Sequence, residues 1–301
     1  LLELSDDLRE LGGRLPHHLG LTRDPSGGWE DFVQLEPNRD LPIYAAEPTA
    51  SWGDRLLPQT TLELFREAHY WAGIFGLLAD RIADRQVVPD DRLRRLRRLF
   101  LRNWERRLSE ATGDSAFARR AIADAVAAWR SGVAMERRAF ARGTLETAEY
   151  ANISRRKLRW IATTSRCLLI TAGAPERAQL FQDVYDCFLF GLQCRDDALD
   201  VEEDAAIRGA GLPMLLGYPA GGMVRAAPKI VRRAVELASH GEFHRLSEWM
   251  SRWVSDVDRH IPAGIPVQNE IAGMIIAASW DEQPSIRQGI PVRESQAISP
   301  D

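Results

Sequence analysis

The stretch GLQCRDDALDVEED, residues 191–204, gathers six carboxylates within the nine residues Asp196 to Asp204. Read as a helix, it puts Asp196 and Asp200 on one face, four residues apart, with Asp197 beside them. Carboxylates this close repel one another, and Arg195 offsets only one of them. A solvated helix end is one reading of the cluster; a site for divalent cations is the other. Magnesium takes oxygen ligands and is commonly held by a few carboxylates together with substrate phosphates. A second acidic site, FGLLADRIADRQ (75–86), carries Asp80 and Asp84, again four apart at the end of an apolar run. Here a local ion-pair ladder through Arg81 competes with a metal site. Two such helices facing each other across a bundle would let metal ions between them grip a diphosphate.

The elements that position these residues follow from periodicity. Apolar residues recur at three- and four-residue spacing from about residue 58 to 280, and strand patterns are scarce. Helices are expected over 60–85, 90–110, 116–142, 145–172, 177–200, 222–239 and 242–259. Pro and Gly at Pro89, Gly113, Gly143, Gly173–Pro175, Gly209–Pro213 and Gly217–Gly222 mark the breaks. Long helices joined by short loops predict an all-α, single-domain bundle over 58–282, each helix burying its apolar stripe on a neighbour. Residues 1–57, rich in Pro, Gly and Trp after an amphipathic start, are expected to form an irregular or helical cap. Residues 283–301 are expected to be a flexible tail.

Composition narrows the class of partner. A net charge of −4 over 301 residues gives no support to nucleic acid as the main ligand. The basic run RLRRLRRLF (92–100) reads as the solvated face of a helix whose leucines point inward. His240 and His244 stand at helical spacing without an acidic third ligand, and read as surface residues. The three cysteines, Cys167, Cys187 and Cys194, fit buried thiols in a reducing compartment. The opening LLELSDDLRE is acidic and amphipathic, unlike a secretory leader, and no apolar run is long enough to span a membrane. A soluble, cytoplasmic protein is the expectation.

The motif Q-x-x-D-D-x-x-D, residues Gln193 to Asp200 at the end of FGLQCRDDALD, resembles the second aspartate-rich motif of the trans-isoprenyl diphosphate synthases. YANISRRKLRWIATTSRCLLITAGAP (150–175) is similar to the helix in which that family holds a diphosphate-binding lysine, which gives the role to Lys157. LLADRIAD (77–84) occupies the place of the first aspartate-rich motif. The resemblance runs over roughly residues 60–260 and is best at 150–213. It implies an isoprenoid-synthase bundle with a cavity between helices, and more than one Mg²⁺ ion held by Asp80, Asp84, Asp196, Asp197 and Asp200. It implies that Lys157, Gln193 and Arg208 bind the substrate diphosphate. Bulky residues before the first motif close the pocket floor in that family. Phe75 is assigned there, with Trp71 and Trp160 as aromatic pocket residues set against a core or rim reading.

The departures point away from an ordinary chain-elongating synthase. The first motif reads Asp80-Arg81-Ile82-Ala83-Asp84, with a cation where the family has a carboxylate, and RQVVPDD stands where R-R-G normally follows. The upstream G-G-K-R-x-R-P that helps bind isopentenyl diphosphate is not recognisable. The lysine after the second motif is absent, with Arg208 left to take its place. The expectation is therefore Mg²⁺-dependent ionisation of a C15 or C20 prenyl diphosphate, with pyrophosphate release. A terpene cyclase leads. A prenyltransferase acting on isopentenyl diphosphate or another acceptor stands second, and a non-catalytic subunit of a heteromeric synthase third. Pairing with a second copy to form a homodimer is compatible with each.

Overall fold

The computed structural model describes residues 6–19, 28–29, 36–47 and 57–260. Every element among them is an α-helix. In chain order these are α1 (Asp6–His18), α2 (Glu36–Ala45), α3 (Gln59–Ala83), α4 (Asp91–Thr112), α5 (Ser115–Arg142), α6 (Thr147–Thr171), α7 (Pro175–Leu199), α8 (Val201–Arg208), α9 (Leu212–Leu216), α10 (Ala220–His240) and α11 (His244–His260). None of the helices is long and apolar enough to cross a membrane. The expected tail, 283–301, lies outside the described residues.

Local chemistry accounts for where the long helices start and stop. Asp90 caps α4 by accepting from the Leu93 backbone N–H at 2.8 Å, and Asp114 caps α5 by accepting from those of Ala116 and Phe117, each at 2.9 Å. Both helices end at a glycine in the left-handed region, Gly113 and Gly143. Proline opens α7 at Pro175, where its missing N–H costs nothing. In α4 the buried Leu93, Leu96, Phe100, Trp104, Leu108 and Ala111 form one stripe, while Arg92, Arg94, Arg95 and Arg98 are exposed. The basic run is a solvated face.

Two short helices were not expected. The segment after Asp200, beyond the end of the helix expected over 177–200, forms α8 and α9. In α8, Glu202, Glu203 and Asp204 sit in the first turn and Arg208 in the last, the arrangement that favours the helix dipole. The Asp200 N–H donates to the Asp196 carbonyl at 2.9 Å and the Asp204 N–H to the Asp200 carbonyl at 2.8 Å. Asp200 thus closes α7 with its N–H and opens α8 with its carbonyl, a bend between two helices. The cap region likewise contains helices, α1 and α2.

Packing joins the sequence neighbours α3 with α4, α5 with α6, α6 with α7 and α10 with α11; α3 also packs on α6, and α7 on α10. Aromatic contacts fill the core between α7 and the C-terminal helices. Within α7 Phe181 stacks on Tyr185 at 5.7 Å, and across to α11 Phe188 meets Trp249 edge-on at 4.8 Å. All three cysteines are buried and free. Burial pushes the Cys167 and Cys187 thiols up to about 12, so they stay protonated and inert.

Candidate functional site

A cavity of about 440 Å³ opens where α3, α5, α6, α7 and α8 come together. On α3, Asp80 lines it with Leu77, Gly73 and His69, and Asp84 joins them from the position that caps the helix, at steps of three and four residues. Lys157, Leu158, Trp160 and Ile161 come from α6, and Gln193, Asp196 and Asp197 from α7. Asp200 lines it from the junction between α7 and α8, Asp204 and Arg208 from α8, and Glu136 from α5. Every residue expected to bind metal or diphosphate therefore faces one space. The polar groups share that space with an apolar wall of Leu77, Leu158, Trp160 and Ile161.

Two glycines let the walls close. A Cβ on Gly76 would lie 2.3 Å from the Trp160 ring, so the bare backbone of α3 is what allows the indole to lie against it. Likewise a Cβ on Gly132 would meet the Lys157 backbone nitrogen at 2.9 Å and its Cγ at 3.0 Å. That close approach brings Glu136, one turn further along α5, onto the lysine.

At the base of the cavity lies a buried ion network. Lys157, 5% exposed, points its ammonium at Glu136, 3% exposed, and donates to both carboxylate oxygens at 3.2 Å. The same Nζ stands 3.7 Å from Asp80 and 3.6 Å from Asp84. Arg208 adds the second cation, 2.7 Å from Asp84, 3.5 Å from Glu136 and 3.7 Å from Asp204. Burial alone would lower the Lys157 pKa; Asp80, Glu136 and Asp84 outweigh it and hold the ammonium above its ordinary range. Burial lifts Asp80 and Glu136 above the usual carboxylate range, and Lys157 only partly offsets this. Trp129 adds a long bond, 3.5 Å, from its indole N–H to Asp80. Although Arg155, Arg156 and Arg159 flank it in the sequence, Lys157 is therefore not part of a solvated basic face.

The second acidic helix divides its carboxylates between two surroundings. Asp197 is 6% exposed and accepts at 2.6 Å from the Tyr150 hydroxyl and at 2.6 Å from the Gln193 amide, one on each oxygen. Burial pushes it up to about 8 against these donors. Its expected ligand role competes with both bonds, and Gln193, expected on the diphosphate, is here the partner of Asp197. Asp196 is an exposed residue whose carboxyl is partly desolvated by its neighbours; this and the like charge of Asp200 raise its pKa, while Arg81 opposes the shift. Arg81 donates to Gln86 at 2.7 Å rather than bridging its own helix's aspartates.

Phe75 and Trp71, expected as pocket residues, stand away from this cavity: Phe75 packs on Trp104 at 6.0 Å and Trp71 on Phe100 at 5.9 Å. The reason is helical arithmetic, since at about 100° per residue a position five before Asp80 is turned some 140° away and one nine before lies opposite. The same count finds Leu77, Gly73 and His69. Asp204 was readable too, as 196, 200, 204 and 208 repeat every four residues. Glu136 carried no such signal; it is one carboxylate in the arginine-rich stretch WRSGVAMERRAF.

Seven carboxylates line the cavity against the three cations Arg81, Lys157 and Arg208. Lys157 and Arg208 are engaged by Asp80, Asp84 and Glu136, Arg208 also reaches Asp204 at 3.7 Å, and Asp197 is held by Tyr150 and Gln193, which leaves Asp196 and Asp200 as the excess. Among the described residues, no three carboxylate, imidazole or thiol groups stand close enough together to enclose a metal ion. The donor chemistry of the excess carboxylates, all oxygen and all negative, fits Mg²⁺. Compared with known protein families, with curated proteins and with solved structures, the chain matches none.

Proposed function

We propose that this chain is a Mg²⁺-dependent enzyme that ionises a C15 or C20 prenyl diphosphate, and that it acts as a terpene cyclase on an isoprenoid-synthase type of bundle. The observation that carries this reading is the cavity itself, where the acidic faces of α3 and α7 share one space with an apolar wall. Such a space suits a ligand with a polyanionic head and a hydrocarbon tail. Its volume lies within the roughly 300–1,000 Å³ usual for small-molecule sites. The resemblance of 190–204 and 150–175 to the trans-isoprenyl diphosphate synthases supports the same chemistry.

Asp196 and Asp200 would hold the metal, with Asp80 and Asp84 facing them. When bound, Mg²⁺ offsets the charge that develops on the leaving diphosphate. Lys157 and Arg208 add fixed positive charge at the same end, in a buried setting where it counts for more than in water. The allylic C–O bond breaks heterolytically and its electron pair leaves with pyrophosphate. A double bond of the same chain then attacks the cation, forming a C–C bond, and loss of a proton completes the product. The indole face of Trp160 in the apolar wall is suited to a nearby carbocation. Loss of the isopentenyl diphosphate motif is what favours cyclisation over elongation.

The test is turnover of geranyl, farnesyl or geranylgeranyl diphosphate, each supplied alone with Mg²⁺, with pyrophosphate and extractable products measured. Hydrocarbon or alcohol from one diphosphate, lost in Asp196→Ala, is the expected outcome. Activity only when isopentenyl diphosphate is added would replace the cyclase reading with a transferase. No turnover in either format would remove the cyclase reading for these substrates.

A further inference from the structure

Lys157 and Arg208, the two cations suited to a diphosphate, are both already engaged by carboxylates of the chain. The central one is Glu136. It is nearly inaccessible to solvent, bonds Lys157 through both oxygens at 3.2 Å, stands 3.5 Å from Arg208, and lies in the wall between this cavity and a smaller one of about 290 Å³. Its position is built: Gly132, one turn earlier, allows α5 to approach the Lys157 backbone closely enough for the carboxylate to reach the ammonium. We infer that Glu136 is a specificity-determining residue, an internal counter-ion that occupies Lys157 and Arg208 so that a diphosphate group binds this end of the cavity only together with added cations.

The inference rests on the reading of the cavity as a diphosphate site and adds a binding order to it. With Glu136, Asp80 and Asp84 around one ammonium and one guanidinium, the base of the cavity has no net positive charge to offer a bare polyanion. A diphosphate must displace these carboxylates or arrive with metal ions that balance them. Removing the Glu136 charge while keeping its shape frees part of Lys157 and Arg208 for the ligand. Asp80 and Asp84 remain to partner Lys157, so the ammonium is not left alone.

The experiment measures binding of inorganic pyrophosphate by calorimetry, with and without Mg²⁺, to the wild-type chain, Glu136→Gln and Glu136→Met. Glu236→Gln, a change to an exposed carboxylate paired with Arg233, controls for net charge. The expected result is weak wild-type binding without Mg²⁺, on the order of tenfold tighter binding in both Glu136 variants, and no change in the control. One such factor of ten corresponds to about 1.4 kcal/mol. Unchanged or weaker pyrophosphate binding in folded Glu136 variants would overturn the inference, as would an equal gain in the control. Loss of a cooperative unfolding transition in both Glu136 variants would also overturn it, by showing the carboxylate to be required for the fold. Because pyrophosphate binding needs no turnover, failure here is separable from failure of the cyclase reading, which the product assay decides.

Discussion

Burial decides what the acidic residues of this chain can do, and it acts away from the cavity as well as within it. Asp183 and Asp186 lie on α7 near Arg155, Arg159 and Arg166; Gln179 donates to Asp183 at 2.8 Å and Gln182 donates to Asp186. Burial pushes Asp183 up to about 6 and Asp186 up to about 7, against an ordinary value of 3.8. A carboxyl whose pKa is raised by folding keeps its proton in the native state after the unfolded chain has lost it. The native state therefore binds more protons between about pH 4 and 7, and stability falls as pH rises through that window. Asp186→Asn removes the titration, so its melting temperature is expected to fall less between pH 5 and 8 than that of the wild type. Parallel melting curves across that range would contradict the assignment. The same physics separates Asp197, tied to Tyr150 and Gln193, from Asp196 and Asp200, which no aspartate count in the sequence distinguishes.

At the scale of the elements, the cavity depends on helices that approach closely at chosen points. Gly76 on α3 and Trp160 on α6 make one such point, because the indole occupies the volume a side chain would need. Gly76→Ala is expected to cost about 1–3 kcal/mol through overpacking. It should also turn Trp160 out of the wall it forms, which the intrinsic tryptophan fluorescence of a Trp160→Phe background would isolate by difference. An unchanged melting temperature and spectrum would mean that the ring has room to yield. The helix boundaries themselves were legible, since Asp90, Asp114, Gly113, Gly143 and Pro175 act on their immediate neighbours in the chain. The helix α8 was less so. It ends at Gly209 in the left-handed region, but its N-terminus has no side-chain cap, and its role depends on continuing the Asp196–Asp200 face to Asp204 and Arg208.

For the molecule as a whole, the charge is distributed so that an acidic cavity sits inside a protein of modest net charge, −4. Excess carboxylates gathered in a partly enclosed space raise the free energy of the ligand-free fold, and a divalent cation bound there would lower it. Mg²⁺ in the millimolar range is accordingly expected to raise the melting temperature of the wild type, by the mass-action term RT ln(1 + [L]/Kd). Asp200→Asn should reduce that rise, and NaCl of equal ionic strength should not reproduce it. A rise that survives Asp200→Asn together with Asp196→Asn would place the cation elsewhere.

The sequence by itself determined the class of fold, the ends of the long helices and the two faces on which the aspartates stand. Those features follow from side-chain periodicity and from capping between residues a few positions apart, and both are local. The resemblance over 150–213 directed attention to Lys157, Gln193 and Arg208, and the tertiary structure brings all three to the cavity with the aspartates. Only that structure decided how the charges are shared. Glu136 reaches Lys157 from another helix, 21 positions away, because Gly132 lets two backbones close on each other. Tyr150 takes Asp197 across 47 positions. Phe75 and Trp71 turn into the core because of the face they occupy. Pairings of this kind depend on which helices pack together and how near they come, quantities set by the burial of the whole apolar surface rather than by any one stretch of residues.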